Sequence, residues 1–98
     1  MGLFGPSLTE KIRRSAAAAY PQADWKVDVD WSTGSKLHQL RGSVTEQRTE
    51  AESLEIAKNV WAALTEQYRL SPDDGRDGLL DVFVTSAGGA MQCSGTNG

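Results

Sequence analysis

The chain has 98 residues and a formal net charge of −3. Domains usually run ~100–200 residues, so this length predicts a single domain and excludes a multidomain enzyme. Hydrophobic residues make up 39% and charged residues 23% of the chain, which is typical of a globular domain and not of a disordered chain. The longest unbroken apolar run, residues 16–20, is far shorter than the ~20 residues of a membrane-spanning helix.

The distribution of charge and the single cysteine restrict the classes of partner and the cellular compartment that we expect. Acidic and basic residues balance over residues 1–70, and the acidic excess lies at residues 73–81. Because phosphate backbones are bound by basic stripes, this pattern disfavours nucleic acid, and it gives no support to binding at an anionic membrane surface. Residues 1–7 do not have the pattern of a secretory signal, and Cys93 is the sole cysteine. We therefore expect a cytoplasmic protein without an internal disulfide.

Two amphipathic helices are predicted, and a capping box precedes each of them. Residues 7–10 read Ser-Leu-Thr-Glu and residues 49–52 read Thr-Glu-Ala-Glu, the pattern in which a hydroxyl and a carboxylate each accept an amide proton at a helix start. Apolar residues then recur at three- and four-residue steps. Since Pro21 ends the first stretch, the sequence predicts helices over 8–19 and 50–68.

Three strands are predicted from alternation and from turn-forming residues. Residues 25–31 alternate apolar and polar side chains, which is typical of a strand with one buried face. The short turn at 32–35 joins this strand to a second one over 36–44, so the two should form an antiparallel hairpin. A loop at 71–78 precedes a third, more apolar strand over 79–85.

The resulting fold class is α+β, a two-layer fold with the order α-β-β-α-β, a three-stranded sheet and two helices on one face of it. Residues 1–85 would form the domain, and the glycine-rich residues 86–98 would form a flexible tail. The strand order 2-1-3 and the order 1-2-3 are both compatible with the sequence. We favour 2-1-3 because the first strand has the clearest alternation. Its apolar face, which the helices should cover, carries Trp25, Val27, Val29 and Trp31.

A short motif connects this order of elements to a known family. Residues 40–44 read Leu-Arg-Gly-Ser-Val, a capped helix containing Ala57 follows, and residues 79–84 form the last predicted strand. This arrangement resembles a BON domain over residues 7–85, although the connection before the last strand is longer here. The resemblance implies a non-enzymatic module that binds membranes, small ligands or protein partners. From the residues alone, Gly42 predicts that a helix or another backbone approaches this strand closely.

The sequence contains no convincing catalytic, cofactor or metal site. His38 is the sole histidine, whereas metal and triad chemistry need several groups held together. Cys93 lies in the glycine-rich segment, where nothing fixes its geometry. The aspartates of residues 73–78 miss two required positions of a calcium loop, and we interpret Asp28 and Asp30 as the solvated face of a strand. We therefore predict that the protein is not an enzyme and needs no cofactor.

Binding is then the expected role, with a protein partner or a second copy as the ligand. Trp25 and Trp31 are candidate aromatic anchors, and Arg41 and Phe83 are candidates on the sheet face opposite the helices. The main hypothesis is a BON-like binding module for a protein or a membrane component. The alternative is a small accessory or assembly protein, of the phage or plasmid type, that acts as a homo-oligomer. The face left uncovered should carry Lys26, Asp28, Asp30, Leu37, Gln39, Arg41, Ser43 and either Leu79 or Phe83.

Overall fold

The computed structural model describes residues 7–30, 37–68, 79–89 and 91–95. Its elements are α1 (Leu8–Ala19), β1 (Ala23–Asp30), β2 (Leu37–Val44), α2 (Glu50–Tyr68), β3 (Leu79–Thr85) and β4 (Met91–Gly95). The fold is α+β, as predicted, and both helices have the predicted bounds. The acidic loop at 71–78 and Trp31 lie outside the described residues.

The four strands form one mixed sheet in the order β1-β2-β3-β4. The predicted antiparallel pairing of β1 with β2 is confirmed, whereas β2 and β3 are parallel and β3 and β4 are antiparallel. The favoured order 2-1-3 was therefore wrong. The physical reason is that α2 carries the chain back to begin β3 beside the start of β2, which is how parallel neighbours are joined. β1, with its charged face, is left at the edge.

A fourth strand makes the sheet wider than predicted. β4 lies within the range 86–98 that the sequence analysis assigns to a flexible tail, and it pairs with β3 from Thr85–Met91 to Asp81–Gly95. The turn between the two strands is tight, because the Gly89 amide donates to the Ser86 carbonyl at 2.9 Å. Gly89 has a φ of 84°, a left-handed conformation that glycine adopts without strain.

The helix starts follow the predicted capping chemistry, with one difference. At α2 the exchange is reciprocal: the Thr49 amide donates to Glu52 at 2.8 Å, and the Glu52 amide donates to the Thr49 hydroxyl at 3.1 Å. At α1 the Ser7 hydroxyl accepts the Glu10 amide at 3.2 Å. The Glu10 carboxylate, however, binds Arg13 and Arg14 further along the helix, because these guanidinium groups offer charged donors to it.

Both helices pack on one face of the sheet and enclose a single core. α1 lies against β1, α2 lies over β3 and β4, and the two helices touch each other. Burial of these apolar side chains is the main force that holds the two layers together. The opposite face of the sheet is free of both helices. The buried apolar residues of the core are Ile12, Ala16, Trp25, Leu40, Val44, Ala57, Val60, Leu64, Leu80, Val82 and Val84.

Candidate protein-binding face

The strand registers place one set of side chains on the sheet surface that the helices do not cover, which we call the open face. Because successive side chains of a strand point to opposite sides, the residues between the core positions of each strand share this surface. The prediction of which residues of β1 and β2 lie on it agrees with the register. β4, which the sequence did not predict, adds Met91 and Cys93 to this face. The open face carries Asp24, Lys26, Asp28, Asp30, Leu37, Gln39, Arg41, Ser43, Asp81, Phe83, Thr85, Met91 and Cys93.

Arg41 lies near the centre of the open face and contacts both neighbouring strands. Its Nη1 is 3.2 Å from Asp28 Oδ2 on β1, and its Nη2 donates to Gln39 Oε1 at 3.4 Å. On the other side, the guanidinium carbon lies 5.6 Å from the centroid of the Phe83 ring on β3, within the range of a cation–π contact. Arg41 therefore links an acidic strand to an aromatic side chain.

The ion pair in this group is largely solvated and so is weak by itself. The side chains of Arg41 and Asp28 are 54% and 65% exposed, and exposed ion pairs contribute little to stability. Lys26 lies directly opposite Arg41 in the register and forms no ion pair within the described part of the chain. On the same face, Asp24, Asp28 and Asp30 of β1 outnumber these two cations, so this part of the open face carries charges of both signs with a slight acidic excess.

The accessible side chains of the half of the open face formed by β3 and β4 are largely apolar, because its charged residue, Asp81, is only 5% exposed. Phe83 is half-buried and lies directly opposite Cys93. Met91 is 57% exposed, an unusual position for a large apolar side chain. Burial, and secondarily the charge of Asp81, raises the pKa of the Cys93 thiol above its ordinary value. The open face therefore combines a half that carries charges of both signs with an adjoining half that is largely apolar where it is accessible.

The structure separates the three candidate residues that it describes. Arg41 and Phe83 lie side by side on the open face. Trp25 lies on the opposite side of the sheet, is 3% exposed, and donates its Nε1 hydrogen to the Tyr20 carbonyl at 2.9 Å. Its burial removes Trp25 from the side chains that a partner can reach. Trp31 lies outside the described residues.

Met91 is the main feature of this face that the sequence analysis missed. Its only signal was the short run Met-Gln-Cys-Ser after a glycine pair, which places Met91 and Cys93 on one side and the polar residues on the other. Such a short run without β-branched residues is a weak strand signal. The strand forms because it pairs with the edge of β3 and contacts α2.

The groups considered for catalysis are kept apart. His38 is fully buried on the helix-covered face, whereas Cys93 lies on the open face, so the sheet separates the two side chains. Asp28 is bound to Arg41. Over the ranges that the structure describes, no three potential metal-ligating side chains are grouped.

A groove of about 440 Å³ lies elsewhere, between the end of α1 and the first half of α2. Its floor is apolar, and its rim carries charges of both signs. Contact with the Tyr20 hydroxyl, more than any carboxylate, raises the pKa of Arg48 in this groove. Because both signs of charge are present, the groove gives no clear preference for one ligand chemistry. Its lining consists of Ala19, Tyr20, Arg48, Glu52, Glu55, Ile56, Asn59 and Val60.

No protein-family model, no curated protein and no solved structure matches this chain. The resemblance to BON domains therefore stays a prediction from the motif around Gly42. Among the described helices, none combines the length and apolar character needed to cross a membrane.

Proposed function

We propose that this chain is a small non-enzymatic binding module that holds a protein partner on the open face of its sheet. The observation that carries the proposal is the placement of Arg41 between Asp28 and the Phe83 ring. Arginine and aromatic side chains dominate the energetics of protein interfaces. Here they are adjacent, accessible and held on the strands of a sheet, so little order has to be gained on binding.

The charges of the face, which are of both signs, favour a partner that presents a carboxylate to Arg41 and Lys26 and a cation to the aspartates of β1. Arg41 and Lys26 lie opposite each other, and Asp24, Asp28 and Asp30 lie on the same face beside them. A partner carboxylate could bind these two cations while an apolar side chain beside it covers Phe83 and Met91. Among the ligands that the BON resemblance implies, a protein fits this mixed surface best, because a chain with a net charge of −3 is repelled by anionic lipid.

The test is affinity capture from the native host with variants that change only the open face. Arg41→Glu and Phe83→Ser should each lose the same captured proteins, whereas Lys58→Glu should retain them. Lys58 is exposed on α2, so it supplies the same charge reversal away from the sheet. The proposal is contradicted if the folded open-face variants capture the same proteins as the wild type, or if Lys58→Glu loses them too.

A second candidate function is an accessory or assembly protein that works as a homo-oligomer. It is favoured by one observation, the uncharged edge strand β4 with its exposed Met91. Unpaired strand edges readily bind another strand unless charges or prolines prevent it.

A further inference from the structure

The two edges of the sheet differ in charge. Within the described part of the chain, β1 and β4 are the outer strands. β1 carries Asp24, Lys26, Asp28 and Asp30, whereas the five residues of β4 carry no charge. Charged side chains on an edge discourage pairing with another strand. β1 therefore has this protection and β4 lacks it.

Apolar side chains flank β4 on both faces of the sheet. On the open face, Met91 is 57% exposed. The other face of the sheet is covered by α2. Ile56 marks the side of this helix that faces α1, because it lines a groove together with the end of α1. Leu54 and Trp61 are two turns apart on the side of α2 that faces away from α1, and both are half-buried; the Trp61 Nε1 is bound to the Leu80 carbonyl of β3. A strand placed against β4 would thus meet the exposed Met91 on the open face.

We propose that a second copy of this chain pairs with β4 in an antiparallel arrangement, so that two sheets join into one continuous sheet. This inference rests on the second candidate function, the homo-oligomer, and shares only Met91 with the partner proposed for the open face. A two-fold axis at Cys93, the middle residue of β4, gives the register that pairs the whole strand. Met91 then lies opposite Gly95 of the second copy, and Cys93 lies opposite its own equivalent.

Charge explains why a second copy suits this edge. A symmetric pair of β1 strands would bring together two strands with an excess of aspartate, and like charges across strands are destabilising. A symmetric pair of β4 strands contains no charge to repel and no buried charge that needs a partner of opposite sign. The pairing also covers the exposed Met91 of both copies at once.

Cys93 provides a direct reporter of this register. Residues directly opposite each other in antiparallel strands have Cα atoms ~4.5–5.5 Å apart, within the ~4.4–6.8 Å range that a disulfide spans. Diamide, a thiol oxidant, would take the two thiol hydrogens and leave a disulfide between the two copies. At a pH high enough to ionise the thiol, whose pKa is raised by burial, we expect the wild type to cross-link faster than chance collision allows. A variant with the thiol moved to β2, Cys93→Ser with Ser43→Cys, should cross-link slowly.

Sedimentation velocity over a concentration series tests the dimer itself. The wild type should show a concentration-dependent monomer–dimer equilibrium, and Met91→Lys should shift it to monomer. Met91 is largely exposed in the single chain, so this change should leave the thermal melt of the monomer intact. Ser43→Lys, with the same charge on an interior strand of the same face, should dimerise like the wild type.

Each other outcome overturns the inference. A wild type that stays monomeric at every concentration, or a Met91→Lys variant that dimerises like the wild type, would exclude the β4 interface. A dimer whose Cys93 thiols cross-link no faster than the moved thiol would exclude the two-fold axis at Cys93. Arg41→Glu should dimerise normally, so loss of the open-face partner and loss of the dimer can be distinguished.

Discussion

The indole ring of Trp25 occupies the space in which Gly42, directly opposite on β2, would have its side chain. A Cβ atom at Gly42 would lie 2.5, 2.7 and 2.8 Å from three carbons of the ring. The ring cannot easily move away, because its Nε1 is bound to the Tyr20 carbonyl. The glycine, the tryptophan and the end of α1 therefore form one packing unit.

Replacing this glycine should destabilise the fold. We expect Gly42→Ala to lower the free energy of unfolding by about 1–3 kcal/mol, the usual cost of overpacking a core. Urea unfolding followed by tryptophan fluorescence would measure it. Gly88→Ala is the matched control, because a Cβ at Gly88 meets nothing within 4 Å, and its stability should be close to wild type.

A double-mutant cycle would show whether the ring is the cause. In a Trp25→Leu background the smaller side chain leaves room, so the added cost of Gly42→Ala should shrink. An unchanged cost in that background would contradict the steric explanation.

The environment of Gly42 was predictable from the sequence only in part. The missing side chain predicted a close approach, but not that a ring from the neighbouring strand makes it. Helix bounds were predicted well because capping residues and apolar spacing are local signals. The strand order was not predicted correctly. The alternation of β1 shows only that one of its faces is buried, and this is true of an edge strand as well as of a central strand. Residues 91–95 have little strand propensity of their own and depend on β3.

The residues of the candidate face were also predictable only where a local signal determines them. Alternation placed Arg41 on the uncovered side of the sheet, since this follows from the period of a strand. Its contact with Phe83 depends on the parallel pairing of β2 and β3, which connects residues far apart in the chain. The burial of Trp25 depends on where α1 ends. Neither long-range relationship has a local signal.

Trp61 on α2 gives a second test of packing. Its ring packs against the core, and its Nε1 donates to the Leu80 carbonyl at 2.7 Å. Because Trp61 is half-buried, we expect Trp61→Ala to cost about 3 kcal/mol, the low end for large-to-small aromatic changes. Trp61→Phe, which keeps a ring but loses the donor, should cost about 1 kcal/mol more than expected from ring size alone. Thermal and urea unfolding of both variants would measure this. Equal stability of Trp61→Ala and wild type would show that α2 packs differently.

Glu10 makes part of the free energy of unfolding depend on pH. Hydrogen bonds from Arg13 and Arg14 lower its pKa from 4.5 to about 2. A carboxyl group with a lowered pKa in the folded state stabilises the fold above its ordinary pKa. This contribution should disappear as the pH falls from 4.5 to about 2.

The comparison is between the wild type and Glu10→Gln. The wild type should be slightly more stable at neutral pH, and the difference should vanish near the lowered pKa. The effect should be small and should shrink in high salt, because the group is exposed and screened. A difference that persists in strong acid would mean that Glu10 acts through packing and not through its charge.

The reactivity of Cys93 distinguishes an ordered strand from the flexible tail that glycine content predicts. In β4 the thiol is half-buried opposite Phe83, and this burial raises its pKa. Since the thiolate is the reactive form, alkylation by iodoacetamide should be slower in the native chain than in urea, and its rate should rise only at higher pH.

Dimerisation through β4 would bury the thiol further and act in the same direction, so the experiment belongs at high dilution. The control is Cys93→Ser with Thr45→Cys, whose thiol occupies the exposed position after β2 and should react at nearly the same rate in both states. If Cys93 reacts as fast in the native chain as in urea, residues 91–95 are not paired with β3, and both the fourth strand and the interface built on it are wrong.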